Sequence, residues 1–476
     1  MLGLHAADDS RASAGIGGTF AALSIVPYRF LWASMLASFA GMQMQMIARG
    51  YLAYKLSHSA GSIALITLAW GIPMLLFSLV GGAIADRLER RKLMIASQAA
   101  TASVALTIAL LVQTGMINMT YLFVAGLVQG TIFSFAGPAR QSFIPEIVPE
   151  ERLMNAIALN NAGMNLTRIG GPSLAGALIG ISWIDVQGVF FLQALLNGVA
   201  LTLLFFLPMP GKRQGAFSGP QGAGQRHRNS ITRDLVDGLR YARRSPVLLT
   251  LLMMGIVPML IGSSYQSFLP VFAREVFGDG TSGNASGLGL MSTMTGVGAI
   301  FGSLAVASLA TFPRRTMLQL IAGVGFGLSM AFFAVQHEFL VAIVALVCLG
   351  VMSDFFASMN ATLVVSASDP EYYGRVMSIN MMTFSLMPLG VLPAGYLADW
   401  IGHVEVGSLD LIGVQVTTFG AGMLITLFMF AVTIFNPSYR RLEQDDIRRS
   451  AAEAAGRLEP VAPLVEAPAG SRRGGV

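Results

Sequence analysis

The chain has 476 residues, of which 54% are hydrophobic and only 12% charged, with a formal net charge of +5. A soluble globular domain carries about 25% charged residues, so this composition excludes an ordinary soluble enzyme and ties the length to the number of membrane spans. The single Cys348 excludes a disulfide framework, and five scattered histidines show no metal-ligand spacing.

The opening residues, MLGLHAADDSRASAGIGG, lack the basic and apolar regions of a cleavable signal peptide. The first apolar span is therefore expected to act as an uncleaved anchor, behind a tail over 1–27. A spanning helix needs about 20 mostly apolar residues. Windows of that kind fall at 29–54, 61–84, 93–113, 120–142, 155–180 and 186–207, then at 247–273, 285–310, 316–335, 339–366, 376–400 and 411–436. This predicts an all-α membrane protein of twelve transmembrane helices in two six-helix halves, over 28–209 and 246–436. A polar central loop over 210–245 separates them, and a tail over 437–476 follows. Basic residues orient the chain. With the N-terminus inside, the inner loops hold Arg87, Arg90, Arg91, Lys92, Arg140, Arg152, the central-loop cluster, Arg314, Arg315 and Arg375, and the outer loops hold only Lys55 and Arg274. That asymmetry puts both termini in the cytoplasm and leaves Arg49 and Arg168 as the basic residues inside spans.

In the first span Gln43 is deep enough to line a cavity. Arg49 lies near the outer interface, where snorkelling explains it. Between spans 2 and 3, GGAIADRLERRKLM offers Gly82 for close helix approach. Asp86 is placed to face a helix N-terminus and pair with Arg90 one turn on, with Arg87 and Arg91 beside them, as a conformational latch. A bare topology signal explains the same basic residues. In span 5, Asn161, Asn165 and Arg168 are spaced to share one helix face, with Pro172 nearly on it. Arg168 there suits an anionic substrate group or the tuning of a carboxylate, and equally a structural arginine on freed carbonyls. Gly171 and Gly176 permit tight packing, and Pro172 bends the helix.

The central loop begins as a Gly/Gln/Arg-rich linker. ITRDLVDGLRYARRSP then reads as a short interfacial helix on anionic lipid, and nucleic acid is not the expected partner. In span 7, Ser263, Gln266, Ser267 and Pro270 form one stripe. GVGAIFG, at Gly296 to Gly302, falls within span 8, where helix packing accounts for it. Asp354 is the one acid well inside a span. Burial favours its neutral form, so it suits a proton carrier, and a permanently paired acid is the other reading. In span 11, Asn380 and Phe384 share a stripe with Met387. No nucleophile elbow, Walker lysine loop or metalloprotease motif occurs. No nucleotide, metal or organic cofactor is expected, and energy should come from an ion gradient.

The two halves also match each other: FSLVGGAIADRLERRKLM aligns with FGSLAVASLATFPRRTML, and PEERLMNAIALNNAGMNL with PEYYGRVMSINMMTFSLM. Paired repeats of this kind, with the loop signature at Gly82, Asp86, Arg87, Arg90 and Arg91, resemble the major facilitator superfamily. Glu89 stands where that signature has glycine. GGPSLAG resembles the Gly-Pro motif of the superfamily's antiporter-type exporters. The order GPARQSFIPEIVPEERLMNAIALN, RIGGPSLAG, FLPVFAREVFG and GRVMSIN is similar to the branch of bacterial multidrug and enterobactin exporters. An arginine early in span 4, frequent in proton-driven exporters, is missing from LFVAGLVQGTIF. The resemblance implies alternating access and proton-coupled export of a hydrophobic small molecule from the bacterial inner membrane; oligomeric state stays open, with a monomer the default. Either Arg168 or Arg49 then substitutes for the missing arginine, or proton coupling differs here; the residue reading puts proton coupling at Asp354 and Arg168, and the cavity at Gln43, Asn161, Asn165, Arg168, Gln266, Asn380 and Phe384. Nutrient or lipid uptake, and a non-transporting sensor of the same fold, are the rival expectations.

Overall fold

A computed structural model describes residues 21–87, 89–207, 240–278, 285–309, 312, 314–369, 372–406, 409–437 and 439–440. Side chains at 78–87, 138, 141–142, 150–151, 307, 373–375, 377–385, 406 and 409 lie outside that description. The described residues are almost entirely helical: α1 Val26–Ser57, α2 Ala60–Arg87, α3 Arg90–Gln113, α4 Met119–Ile147, α5 Glu150–Ile179 and α6 Asp185–Phe205 come first. After the central stretch come α7 Pro246–Gly262, α8 Ser264–Val271, α9 Ala285–Ser308, α10 Arg315–Ala334, α11 Phe339–Ser366, α12 Tyr373–Ile401 and α13 Gly413–Phe435. Helices α7 and α8, with a π turn at Phe272–Val276, form one broken rod.

Among the described residues, nine segments are long and apolar enough to cross a membrane. Helices α1 and α5 match them in length at 32 and 30 residues. Gln43, Gln45 and Arg49 in the first, and Asn161, Asn165 and Arg168 in the second, dilute their hydropathy. Large apolar side chains such as Leu340, Trp400 and Phe435 are at least 80% exposed. Such a surface is stable only against lipid.

The all-helical expectation needs one correction. Between α12 and α13, His403–Val406 (β1) and Leu409–Ile412 (β2) pair antiparallel, with Glu405 opposite Asp410. Gly402, at φ +63°, makes the turn out of α12 into this ribbon. The last span therefore begins at Gly413, two residues later than its hydropathy window.

The contacts divide the chain into two compact units. The first comprises Met1–Ser57, Ile72–His227 and Asn284–Thr293, and the second His58–Gly71, Arg228–Gly283 and Met294–Val476. The boundary cuts through α2 and α9, so each of these helices contributes its first turns to one unit and its remainder to the other.

The described residues of the two expected tails, 21–27, 437 and 439–440, make contacts with the helices. A 3-10 turn at Ala21–Ser24 docks on α5, with the Ala22 N–H donating to Asn155 Oδ1 at 2.8 Å. At the other end Tyr439 is buried, its hydroxyl donating to Thr316 O at 2.8 Å and lying 3.3 Å from Gln319 Oε1. Of the expected interfacial helix, residues 240–244 are helical and the preceding ones lie outside the described residues.

Candidate functional site

In the first unit, α1 is the polar axis. Ser34, Ser38 and Gln45 along it are buried and turn two hydroxyls and an amide inward. Ser34 Oγ donates to Ala200 O at 3.1 Å, and Gln98 Nε2 donates to Ser38 Oγ. Further along, Gln193 Nε2 donates to Gln45 Oε1 at 2.7 Å, and Gln45 Nε2 passes the chain on to Gln129 Oε1. All three glutamines are buried, as is Asn197, which donates to Gln193 O at 2.8 Å. The relay leaves Gln129 Nε2 and Gln193 Oε1 without partners at its two ends. Sequence reading stopped at Gln43, two residues short of the residue that organises this network.

Arg140 also enters this network. It lies within α4, not in a loop, with Nη2 3.4 Å from Ser38 Oγ and its guanidinium 5.2 Å from the Phe39 ring centroid. The cation–π contact and the hydroxyl stand in for hydration. Arg140 thus lies within a helix, whereas the sequence reading placed it in an inner loop.

Helices α1 and α5 are clamped together. Tyr28 and Trp32, one turn apart on α1, donate to the carbonyls of Ala156 at 2.7 Å and Leu159 at 3.0 Å on α5. The contact continues to Gly171, where an added Cβ would lie 2.5 Å from Gln43 Cβ. The structure thus brings Gln43 against the Gly-Pro motif. Asn161 and Asn165 are exposed and Arg168 is half-buried and engaged by neighbours.

The other half of the motif serves α9. A Cβ at Gly289 would fall 2.6 Å from Gly176 Cα and 3.0 Å from Pro172 O. The Ser173 and Thr293 hydroxyls meet at 2.6 Å one turn further along. Pro172 and its flanking glycines therefore form a groove with one helix on each side, Gly171 toward α1 and Gly176 toward α9.

At the loop signature, Arg90 Nη1 bonds Glu146 Oε1 near the end of α4, a partner that sequence spacing did not suggest. Arg91 donates to the carbonyls of Leu204 at 3.2 Å and Phe205 at 2.7 Å, satisfying the C-terminus of α6. The side chains of Gly82, Asp86 and Arg87 lie outside the described residues, as do those of Asn380 and Phe384.

In the second unit Asp354 is half-buried in α11 and engaged by neighbours. Gln266 is half-buried, with Nε2 3.3 Å from Tyr265 OH. Ser263 does not continue its stripe into open space: it is buried and donates to Met387 O at 3.3 Å. Pro270 is buried as well. Gly298 and Gly302 press α9 onto the carbonyls of Val347 and Val351 of α11, so GVGAIFG is a helix-packing seam. A second polar cluster, Gln319 to Asn360 at 2.7 Å, reaches Tyr439. Before α7, Tyr241 stacks on Tyr372 at 4.1 Å and donates to Asp369 Oδ2 at 3.0 Å. Burial pushes the Tyr241 hydroxyl above its ordinary pKa; the Asp369 N–H opposes that shift and the carboxylate adds to it.

Long apolar helices with a lipid-compatible exterior and a polar interior define a multi-pass membrane protein. Its solved neighbours agree on the fold. The nucleoside transporter NupG superposes at TM-score 0.66 with 15% identity over 86% of this chain and 100% of that one. A bacterial homologue of the lysosomal transporter Spinster gives 0.65 with 14% identity over 89% and 97%. The chain belongs to the major facilitator family described as transmembrane secretion effector, whose model matches residues 17–468. It is similar to the multidrug efflux pump Tap of Mycolicibacterium fortuitum (27% identity, 87% of this chain, 96% of that one). It is also similar to the staphyloferrin A transporter of Staphylococcus aureus (22%, 80% and 92%) and to macrolide efflux protein A of Streptococcus pyogenes (23%, 78% and 89%).

Proposed function

We propose that this chain is a monomeric secondary transporter of twelve spans in two six-helix halves. It sits in the bacterial inner membrane with both termini cytoplasmic and exports hydrophobic small molecules, drug-like or siderophore-like, by alternating access coupled to protons. The observation that carries the reading is the Gly-Pro groove of α5. Gly171 seats α1 and Gly176 seats α9 on either side of Pro172, so the motif associated with efflux is here the place where three helices touch backbone to backbone. Relatives named for efflux of macrolides and of mixed drugs support the direction of transport.

Within this reading, Asp354 carries the proton, and Arg168, with Asn161 and Asn165 on its face, meets an anionic substrate group or tunes a carboxylate. Gln43, Gln266, Asn380 and Phe384 line the path, and membrane lipid is the surrounding partner. The buried glutamine relay is scaffold, holding α1 to α4 and α6.

The test is efflux of a dye panel from cells and inside-out vesicles energised with a proton gradient. Accumulation inside such vesicles that an uncoupler abolishes is the expected result. Uncoupler-insensitive movement would overturn proton coupling, and net import into whole cells would overturn export.

A further inference from the structure

The first turn of α2 is closed by a residue far away in sequence. Ser59 Oγ accepts from the Ser62 N–H at 3.1 Å, the local cap expected at a helix start. The next two donors go to Asp399 of α12: the Ala60 N–H reaches Oδ1 at 2.9 Å and the Gly61 N–H reaches Oδ2 at 2.9 Å. The Ser59 hydroxyl donates to the same Oδ2 at 2.5 Å. One carboxylate thus takes three donors at the positive end of a helix dipole.

The backbones can approach this closely because small residues line the seam. A Cβ on Gly61 would lie 2.8 Å from Asp399 Oδ2, and one on Gly395 would lie 2.7 Å from Ala64 Cβ. Further along, Gly71 meets the ring of Pro388. The seam stops there. His58–Gly71 belongs to the second unit with Asp399, whereas α2 from Ile72 onward belongs to the first. Pro73 sits just past the change, where it removes the helical bond to residue 69. The Pro73 carbonyl accepts from Ser134 of α4 in the first unit at 3.2 Å. One helix is therefore tied to α12 through its first turns and to α4 at Pro73, and the proline leaves the turn between them one helical bond short.

We propose that Asp399 is a releasable clasp: it holds the first turns of α2 on α12 in one access state and lets them part in the other, with the Gly71–Pro73 turn as the hinge. This rests on the alternating-access reading above. Asp399 suits release because it is exposed, so water can replace it on the three donors. The seam beneath it is lined mainly by glycine, alanine and proline, and the Tyr396 ring that lies beside Gly61 is itself largely exposed, so it does not interlock the two helices. A permanent joint would bury the carboxylate and interdigitate bulky residues.

The experiment uses the full chain in proteoliposomes, with the native cysteine removed by Cys348→Ser. Joining Ser59→Cys to Asp399→Cys with a short bifunctional thiosulfonate should stop dye efflux, and reductant should restore it. Separately, Asp399→Ala should raise labelling of Ser62→Cys by a membrane-impermeant maleimide about fivefold, the population shift expected from losing one helix cap. Asp399→Asn, which keeps one acceptor, should fall between. Cross-linked protein that pumps at the reduced protein's rate, or labelling that Asp399→Ala leaves unchanged, would overturn the clasp. Absence of dye movement in the reduced and wild-type proteins, with the labelling shift intact, would instead count against the export reading alone.

Discussion

Gly289 on α9 and Gly176 on α5 meet so closely that a methyl group on the first would lie 2.6 Å from the Cα of the second. Crossings of this kind depend on having no side chain at the contact, since a buried methyl has no room to move into. Gly289→Ala should lower Tm in detergent, by an amount equivalent to about 1–3 kcal/mol, and abolish efflux. Thermal unfolding of purified protein and dye efflux check this together. Retention of both would show that the two helices do not meet as described.

The two adjacent glycines of the motif are not equivalent, and this gives an internal control. Gly170 has open space where a Cβ would go, whereas at Gly171 that atom would be 2.5 Å from Gln43 Cβ. Gly170→Ala should therefore match the wild type or gain slightly in helix stability, by about 0.5–1 kcal/mol. Gly171→Ala should lose efflux at unchanged membrane insertion. Equal behaviour of the two variants in side-by-side efflux assays would refute the placement of Gln43 against α5.

For the glutamine relay, the central member matters most. Gln45→Leu removes the donor to Gln129 and the acceptor for Gln193 at once. It strands two further buried polar atoms beyond Gln129 Nε2 and Gln193 Oε1. Each such group costs about 1–3 kcal/mol. Ser34→Ala, which breaks one bond to Ala200 O, should cost only about 0.5–1.5 kcal/mol. Denaturation in a fixed detergent orders the two variants, and a larger loss from Ser34→Ala would disprove the relay.

These networks also mark where sequence reading reached its limit. Hydropathy windows located the long helices because lipid demands an apolar exterior along each one, and the glycine motifs stood out because helices can approach only where side chains vanish. Gln45, Gln129 and Gln193 are separated by tens of residues, so nothing local joins them; only the packing of α1, α4 and α6 does. Glu146, the partner of Arg90, lies on another helix for the same reason. Tyr439 was hidden differently. It follows Pro437 at the start of a charged stretch, where composition argues for a tail, yet one aromatic ring reaching back to Thr316 fixes that segment to α10. The β1–β2 ribbon is too short to leave a pattern distinguishable from a loop.

Tyr439 carries its own consequence. Its ring is buried and its hydroxyl bridges Thr316 O and Gln319 Oε1, next to the Gln319–Asn360 bond. Tyr439→Phe should cost about 1 kcal/mol through the lost hydrogen bond. Tyr439→Ala should cost about 3–5 kcal/mol through the cavity left behind. Denaturation midpoints of the two variants decide it, and an alanine variant as stable as the phenylalanine one would show that the chain end does not pack on α10.

The proton-coupling assignment separates Asp354 from Arg168 by the step each serves. In an exporter that exchanges protons for substrate, a carboxylate that must load and unload a proton is needed for net efflux and not for exchange of substrate against substrate. Asp354 is half-buried within α11, so a neutral amide of the same shape leaves its packing intact. Asp354→Asn should therefore abolish uncoupler-sensitive efflux while keeping substrate counterflow near the wild-type rate. Arg168→Ala should act on binding instead, weakening anionic substrates by about tenfold or more and sparing neutral ones, because a charge-assisted hydrogen bond contributes about 1.5–3 kcal/mol. Counterflow and gradient-driven efflux, measured in the same proteoliposomes with one neutral and one anionic dye, decide both assignments. If Asp354→Asn lost counterflow as well as efflux, Asp354 would be a fixed structural acid, and the proton site would have to lie elsewhere.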